Sequence, residues 1–205
     1  QDPPHRLLVP SEHRGALPGR QVPDPRRLVP RDGHQLPARG QRQPTDRQRM
    51  PLEHTDDGAL GVILNRPRLV GGGEAVPRWA DRLAYPARLH NGGPVSTDSV
   101  IGLGRGPVGP LQGLSPLMGR VGVVDLHRDP TEVPEIDEVR LFAGYAGWSA
   151  DQLEAELAAG GWMVVDSHEE DVRSPDPDGL WRHVLGRQAG IAALLGNYPD
   201  DASLN

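Results

Sequence analysis

A chain of 205 residues has room for one domain, or for one domain and a tail, and its lack of Cys and Lys excludes disulfides, thiol catalysis, thiolate metal sites, a P-loop Lys and a Schiff-base Lys. The formal net charge of −6 is unevenly spread: residues 1–50 carry ten Arg against five acids, and residues 51–205 carry twelve Arg against twenty-three, a net of −11. So acidic a folded part repels phosphates and argues against direct DNA binding, and no apolar run is long enough to span a bilayer, so no membrane association and a cytoplasmic location are predicted.

Residues 1–50 hold nine Pro, six Gln and no aromatic residue, and follow neither a 3.6 nor a 2 period, so no regular element is predicted there. Three readings compete: a natural disordered tail, a basic arm for nucleic acid, and a stretch translated out of frame. A boundary at position 50 is predicted, followed by a single domain over 51–205. About 155 residues can bury roughly 70% of their unfolded surface without a staple.

In chain order, Asp56-Asp57-Gly58 signals a turn, and the apolar run 59–64 reads as a buried strand that Asn65-Arg66-Pro67 ends. Val76, Trp79, Ala80 and Leu83 recur at helical spacing. Segments 87–91 and 99–103 read as strands around the turn Gly92-Gly93-Pro94-Val95, 102–113 as loop, 120–125 as a strand, and 132–138 as a weak helical turn broken by Pro134. The clearest unit is 139–166. It reads as a short strand over 139–143, a tight turn from Gly144 to Gly147, and a capping box of Ser149 and Gln152 that starts a helix over 150–159. A left-handed stop at Gly160-Gly161 and a strand over 162–166 complete it. Leu180, Trp181, Val184 and Leu185 then form one apolar helix face, which 191–195 extends or restarts.

Signals for chemistry are sparse. Gly144-x-x-Gly147 ahead of a helix suggests a phosphate cradle, but it lacks a third Gly, carries bulky Tyr145 and Trp148, and uses its Ser149 as a cap. Asp125-x-His127-x-Asp129 would align three metal ligands on an extended backbone, but reads better as a polar strand end. Gly113-Leu114-Ser115-Pro116 fails as a nucleophile elbow because Leu117 stands where a second Gly is required. Arg66 is either a fork for a carboxylate or phosphate, or part of a turn in which Asn65 tolerates left-handed geometry. Tyr145, Trp148 and Trp162 either line a pocket or fill the core.

Four ordered motifs carry a family resemblance. They are Glu53-His54-x-x-Asp57-Gly58 running through Asn65-Arg66-Pro67; Gly92-Gly93-Pro94-Val95; Phe142-Ala143-Gly144-Tyr145-Ala146-Gly147-Trp148 with Gln152-Leu153-Glu154 and Trp162; and Tyr198-Pro199-Asp200-Asp201 near the final Asn205. Over 52–205 the chain resembles the YqgE/AlgH family. The resemblance implies a single α+β domain with a bifurcated mixed sheet curled into a pseudo-barrel with flanking helices, in bacterial cytosol. It implies no assigned activity, although some members are described as transcriptional regulators. The apolar strands that family members carry ahead of the Glu-His pair have at best a relic here in Leu7-Leu8-Val9-Pro10.

The expectation is therefore a non-catalytic regulatory or binding protein that engages an unknown small ligand or protein partner through its glycine-rich loops. No catalytic residue, metal or cofactor is assigned. Asn65, Arg66, Gly92, Gly93, Pro94, Tyr145, Gly147 and Trp148 are predicted to converge on one surface depression, because strand-end loops gather at the rim of a curled sheet. The alternative is a small-molecule enzyme using Arg66, an acid such as Glu154 and a His.

Overall fold

A computed structural model describes residues 6–10, 48–190 and 192–193. Ten strands and four short helices follow one another: β1 (Arg6–Pro10), β2 (Arg49–Thr55), β3 (Gly58–Ile63), β4 (Pro67–Gly71), α1 (Gly72–Ala75), β5 (Arg88–Asn91), β6 (Val95–Arg105), β7 (Leu114–Met118), β8 (Val121–Val124), β9 (Asp137–Ser149), α2 (Gln152–Ala158), β10 (Trp162–Asp166), α3 (Glu169–Val172) and α4 (Leu180–Gly186). The class is α+β, with a mostly antiparallel sheet in the order β10-β1-β2-β3-β9-β6-β8-β7 and a side arm in which β4 pairs with β5.

β9 holds this arrangement together. Its far end pairs with β3 through Ala146, Gly147, Trp148 and Ser149, while its near half pairs antiparallel with β6 and parallel with β5. The sheet forks where β3 leaves β9 and β5 takes over. Val139, Leu141 and Ala143 enter one apolar cluster, Phe142 a second on the opposite face, and Ala146 and Trp148 a third. A strand buried on both faces is an almost continuous apolar run, which is what 141–146 is. Among the described residues no ladder joins the sheet's end strands β7 and β10. Side chains bridge the gap instead: the Arg120 amide donates to Glu169 at 3.0 Å, and Ser167 meets Met118 at 3.9 Å.

Several sequence expectations need correction. The tight turn from Gly144 to Gly147 is absent: β9 runs through both glycines to Ser149, so the phosphate cradle has no loop to occupy. The Ser149 cap is also absent. Helix α2 starts at Gln152 behind Asp151, whose φ is 60° and whose side chain caps nothing. Half of the box survives, since the Ser149 amide donates to Gln152 Oε1 at 3.0 Å, but the Ser149 hydroxyl donates to the same oxygen at 3.1 Å instead of accepting from a helix amide. Asp151 thus occupies a left-handed position that glycine fills without strain. Asp151→Gly should stabilise the protein by about 0.5 kcal/mol in urea titration, where a true N-cap would lose stability.

The spacing of Val76, Trp79 and Leu83 yields a 3-10 turn, Pro77–Arg82, that buries Trp79 completely. The weak turn predicted over 132–138 forms earlier, at Pro130–Glu132, where Asp129 accepts from the Thr131 amide at 2.9 Å. β6 extends to Arg105 into the expected loop, and β7 forms where no strand is predicted. Regular structure also occurs before position 50. Arg6–Pro10 pairs in continuous register with β10, Leu8 pairs with Arg49, and Leu7 is fully buried. The reading frame and order of 11–47, the extension of α4 beyond 193 and the motif at Tyr198 lie outside the described residues.

Candidate functional site

The fork is made by backbones that approach too closely for side chains. The Ile63 amide donates to Gly92 O at 2.8 Å, the Gly92 amide to Ala143 O at 2.8 Å, and the Asn91 amide to Arg66 O at 2.7 Å. A Cβ on Gly93 would lie 2.0 Å from Tyr145 C, and one on Gly92 would lie 2.2 Å from Gly144 O. Both glycines are therefore fixed by neighbouring main chain. Asn65, 4% exposed, accepts from the Gln48 amide at 3.0 Å and ties the start of β2 to the same point.

At this point the ladder between β6 and β9 skips. Val95 pairs with Tyr145 and Val100 with Ala143, so residues 96–99 stand opposite the single Gly144. Gly144 adopts φ 70° and Ser96 adopts φ 46° to permit it. A Cβ at Gly144 would lie 2.7 Å from both Gly93 O and Val95 O. The bulge holds Thr97, Asp98 and Ser99 out to solvent beside exposed Pro94 and half-buried Tyr145.

The structure thus brings Asn65, Arg66, Gly92, Gly93, Pro94 and Tyr145 to one crossing. Gly147 lies further along β9, paired with Leu60. Trp148 packs in a separate cluster behind α2. The Arg49 guanidinium lies 4.2 Å from the Trp162 ring centre and 5.7 Å from that of Trp148, and the two indoles meet edge to face at 6.2 Å. Both indole N–H groups donate to Glu156 Oε2, at 3.1 Å from Trp148 and 2.7 Å from Trp162, and Gln152 Nε2 donates to Glu156 Oε1 at 3.0 Å. Glu156→Leu should cost about 1–3 kcal/mol in urea titration, because it strands two partly buried donors.

Two ionisable pairs form, one joining Glu154, named in the enzymatic alternative with an unspecified His, to His54, and one that escapes the sequence reading. His54 meets Glu154 where β2 approaches α2, and the helix amide of Glu154 followed by His54 holds that carboxyl below the usual range. His90 and Arg140 are both buried: Arg140 Nη1 donates to His90 Nε2 at 3.1 Å, and Nη2 donates to Tyr85 O at 2.7 Å. Burial and the Arg140 charge push His90 down to about 4, and burial pulls Arg140 down to about 10. An Arg inside the apolar alternation of β9 was the sequence signal for this pair.

Two surface depressions accompany these features. One of about 320 Å³ lies between the β2–β3 turn and α2, lined by His54, Thr55, Asp56, Asp151 and Glu154. The other, of about 190 Å³, lies between α3 and α4 with Glu170, Ser174, Asp176 and His183 on its wall. Arg66 lines neither. Asp125 and Asp129 accept from the backbone amides of His127 and Thr131, and among the described residues no group of three His, Asp or Glu side chains is arranged to hold a metal ion.

Comparison with known proteins places this geometry. A UPF0301 protein of Streptomyces coelicolor is 46% identical over 160 residues, covering 75% of this chain and 83% of that protein. One of Rhodococcus erythropolis is 39% identical over 159 residues, with 75% and 79% covered. The crystal structure of protein DIP2367 from Corynebacterium diphtheriae superposes with a TM-score of 0.75 at 26% identity, covering 97% of this chain and 94% of that one. The solution structure of the AlgH protein from Pseudomonas aeruginosa shares the fold with a TM-score of 0.58 at 21% identity, with 97% and 95% covered. A family model described as AlgH-like matches residues 50–193, which takes in the fork, the bulge and the aromatic cluster; the chain belongs to the AlgH-like, UPF0301 family.

Proposed function

We propose that this chain is a non-catalytic binding protein of the cytoplasm, whose sheet curls as a pseudo-barrel and offers the rim of its fork to a small ligand or a protein partner. The supporting observation is the bulge over 96–99. Four residues are held opposite one glycine by main-chain contacts, so exposed Thr97, Asp98 and Ser99 sit on a fixed frame beside Pro94 and Tyr145. Loops fixed on a scaffold are where recognition resides. A regulatory role of the kind ascribed to some family members then runs through that partner and not through DNA, because the folded part is strongly acidic. For the enzymatic alternative, Glu154 and His54 meet on the wall of one depression, but Arg66 is not among the residues that line it.

Photo-crosslinking in cell extract tests the reading, with the crosslinker placed at Thr97 and, as a control, at exposed Val108. Amide chemical shifts are followed in parallel against a set of small metabolites. Capture at Thr97 above Val108, or ligand shifts confined to residues 91–99 and 144–146, supports it. Equal capture at both positions with no localised shifts sinks it, as does salt-sensitive binding to duplex DNA.

A further inference from the structure

The arm that carries β4, α1 and β5 differs in charge from the body it projects from. Residues 66–90 hold five Arg against Glu74 and Asp81, a net of +3, whereas the rest of 51–205 holds seven Arg against twenty-one acids, a net of −14. Elsewhere four arginines are answered by carboxylates: Arg105 by Asp137 at 2.9 Å, Arg128 by Asp125 at 3.3 Å, Arg173 by Glu138 and Arg187 by Asp171. Among the described residues Arg68, Arg78, Arg82 and Arg88 form no ion pair; Arg78 and Arg82 donate only to carbonyls, at His127, Pro134 and Ile136. Beneath the arm the buried Arg140 adds another positive charge, held by Tyr85 O and His90 and, among the described residues, by no carboxylate.

The same arm exposes apolar surface. Leu69 is 96% exposed, Tyr85 78% and Val70 43%, which makes three of the five large exposed apolar side chains among the described residues. Leu69 and Val70 stand on β4 between its two register points with β5, Pro67 with His90 and Gly71 with Arg88, where the register shifts, and Tyr85 lies three residues ahead of Arg88. β4 pairs with β5 on one side, and among the described residues its other edge has no strand. An open edge with projecting Leu and unanswered Arg meets the requirements for strand addition: main-chain bonds supply affinity, and alternate side chains supply selectivity.

We infer that the free edge of β4 docks an extended, acidic segment of a partner protein. The segment adds a strand to the arm, sets carboxylates against Arg68 and Arg88, and covers Leu69 with an apolar side chain. A nucleic acid fits less well, since the acidic body flanking so short a basic edge repels a long polyanion and Leu69 offers it nothing. The inference does not rest on the rim at 96–99.

Fluorescence anisotropy of the full chain with a labelled peptide of about ten residues, alternating Glu and Val, is the test, run at about 50 and 300 mM salt. Saturable binding is expected, weakened about tenfold by the added salt and at least tenfold by Arg68→Glu with Arg88→Glu. The matching Lys–Val peptide should not bind. Leu69→Thr, at a fully solvated position, leaves the circular dichroism unchanged and should lower affinity about threefold or more, which keeps the idea exposed even if the double variant misfolds. No saturable binding, or affinity unmoved by these substitutions, overturns the inference. So does tighter binding of a duplex oligonucleotide at the same edge, or a dimer of this chain, formed without peptide, that Leu69→Thr dissolves.

Discussion

Gly93→Ala should abolish folding at 25 °C, or cost more than about 4 kcal/mol. The added Cβ would fall 2.0 Å from Tyr145 C, 2.1 Å from Tyr145 O and 2.4 Å from Ala146 N. All three are main-chain atoms of the central strand, so no rotamer change relieves the clash, and β9 must leave either β6 or β3. The consequence reaches beyond local strain, because the three apolar clusters share that strand. Gly186→Ala is the control. Its Cβ meets nothing within 4 Å, and it closes α4, so the substitution should be neutral or stabilising by up to about 1 kcal/mol. Thermal melts followed by circular dichroism compare the two. A Gly93→Ala protein that melts within a few degrees of the parent would mean that the fork is not built by this backbone contact.

Acidification should weaken the fold well above the range in which carboxylates titrate. His90 is fully buried beside Arg140, and its pKa is lowered to about 4 from the ordinary 6.5, first by burial and then by the guanidinium. Between those two values the unfolded chain takes up a proton that the folded chain refuses, so stability is complete above pH 6.5 and falls as pH drops towards 4. The full window is worth about 3 kcal/mol. Asp137 is held below the usual carboxylate range by the Arg105 side-chain bond, so its contribution is lost only at lower pH and does not blur the effect. Urea titrations at intervals from pH 7 to about 4.5 should show the decline, and His90→Gln should flatten it from a lower starting point. A parent protein equally stable at both ends would rule out this environment for His90.

The two predictions converge on the parts of the molecule that local sequence signals describe least well. β3 and β10 are legible because an apolar run bounded by Asp-Gly or Gly-Gly marks a strand. The buried face of α4 follows from Leu180, Val184 and Leu185 at helical spacing, all of them 1% exposed or less. The glycines and prolines of the crossing also stand out as points where the backbone does something that other residues do not allow. In these cases the cause is local: periodicity, a turn dihedral, a missing side chain.

Other features depend on what arrives from elsewhere in the chain. Gly144 and Gly147 read as a turn because glycine usually interrupts a strand, yet β9 continues through both, and at Gly144 the reason is the backbone of 93–97 passing against it. Arg6–Pro10 has no strand signal beyond a few apolar residues. It becomes β1 because β10, distant along the chain, presents an edge in matching register. Ser149 and Gln152 have the spacing of a capping box, but the ladder to β3 holds Ser149 in the strand and moves the helix start past Asp151. The placing of Trp148 behind α2, away from the crossing, is decided by strand alternation beyond the Gly144 bulge, a phase that nothing local records. The sequence alone determined the family and the class. The tertiary structure decided which backbones touch, and so which residues share a site, because strand pairing and close main-chain approach act between segments whose separation along the chain carries no signal.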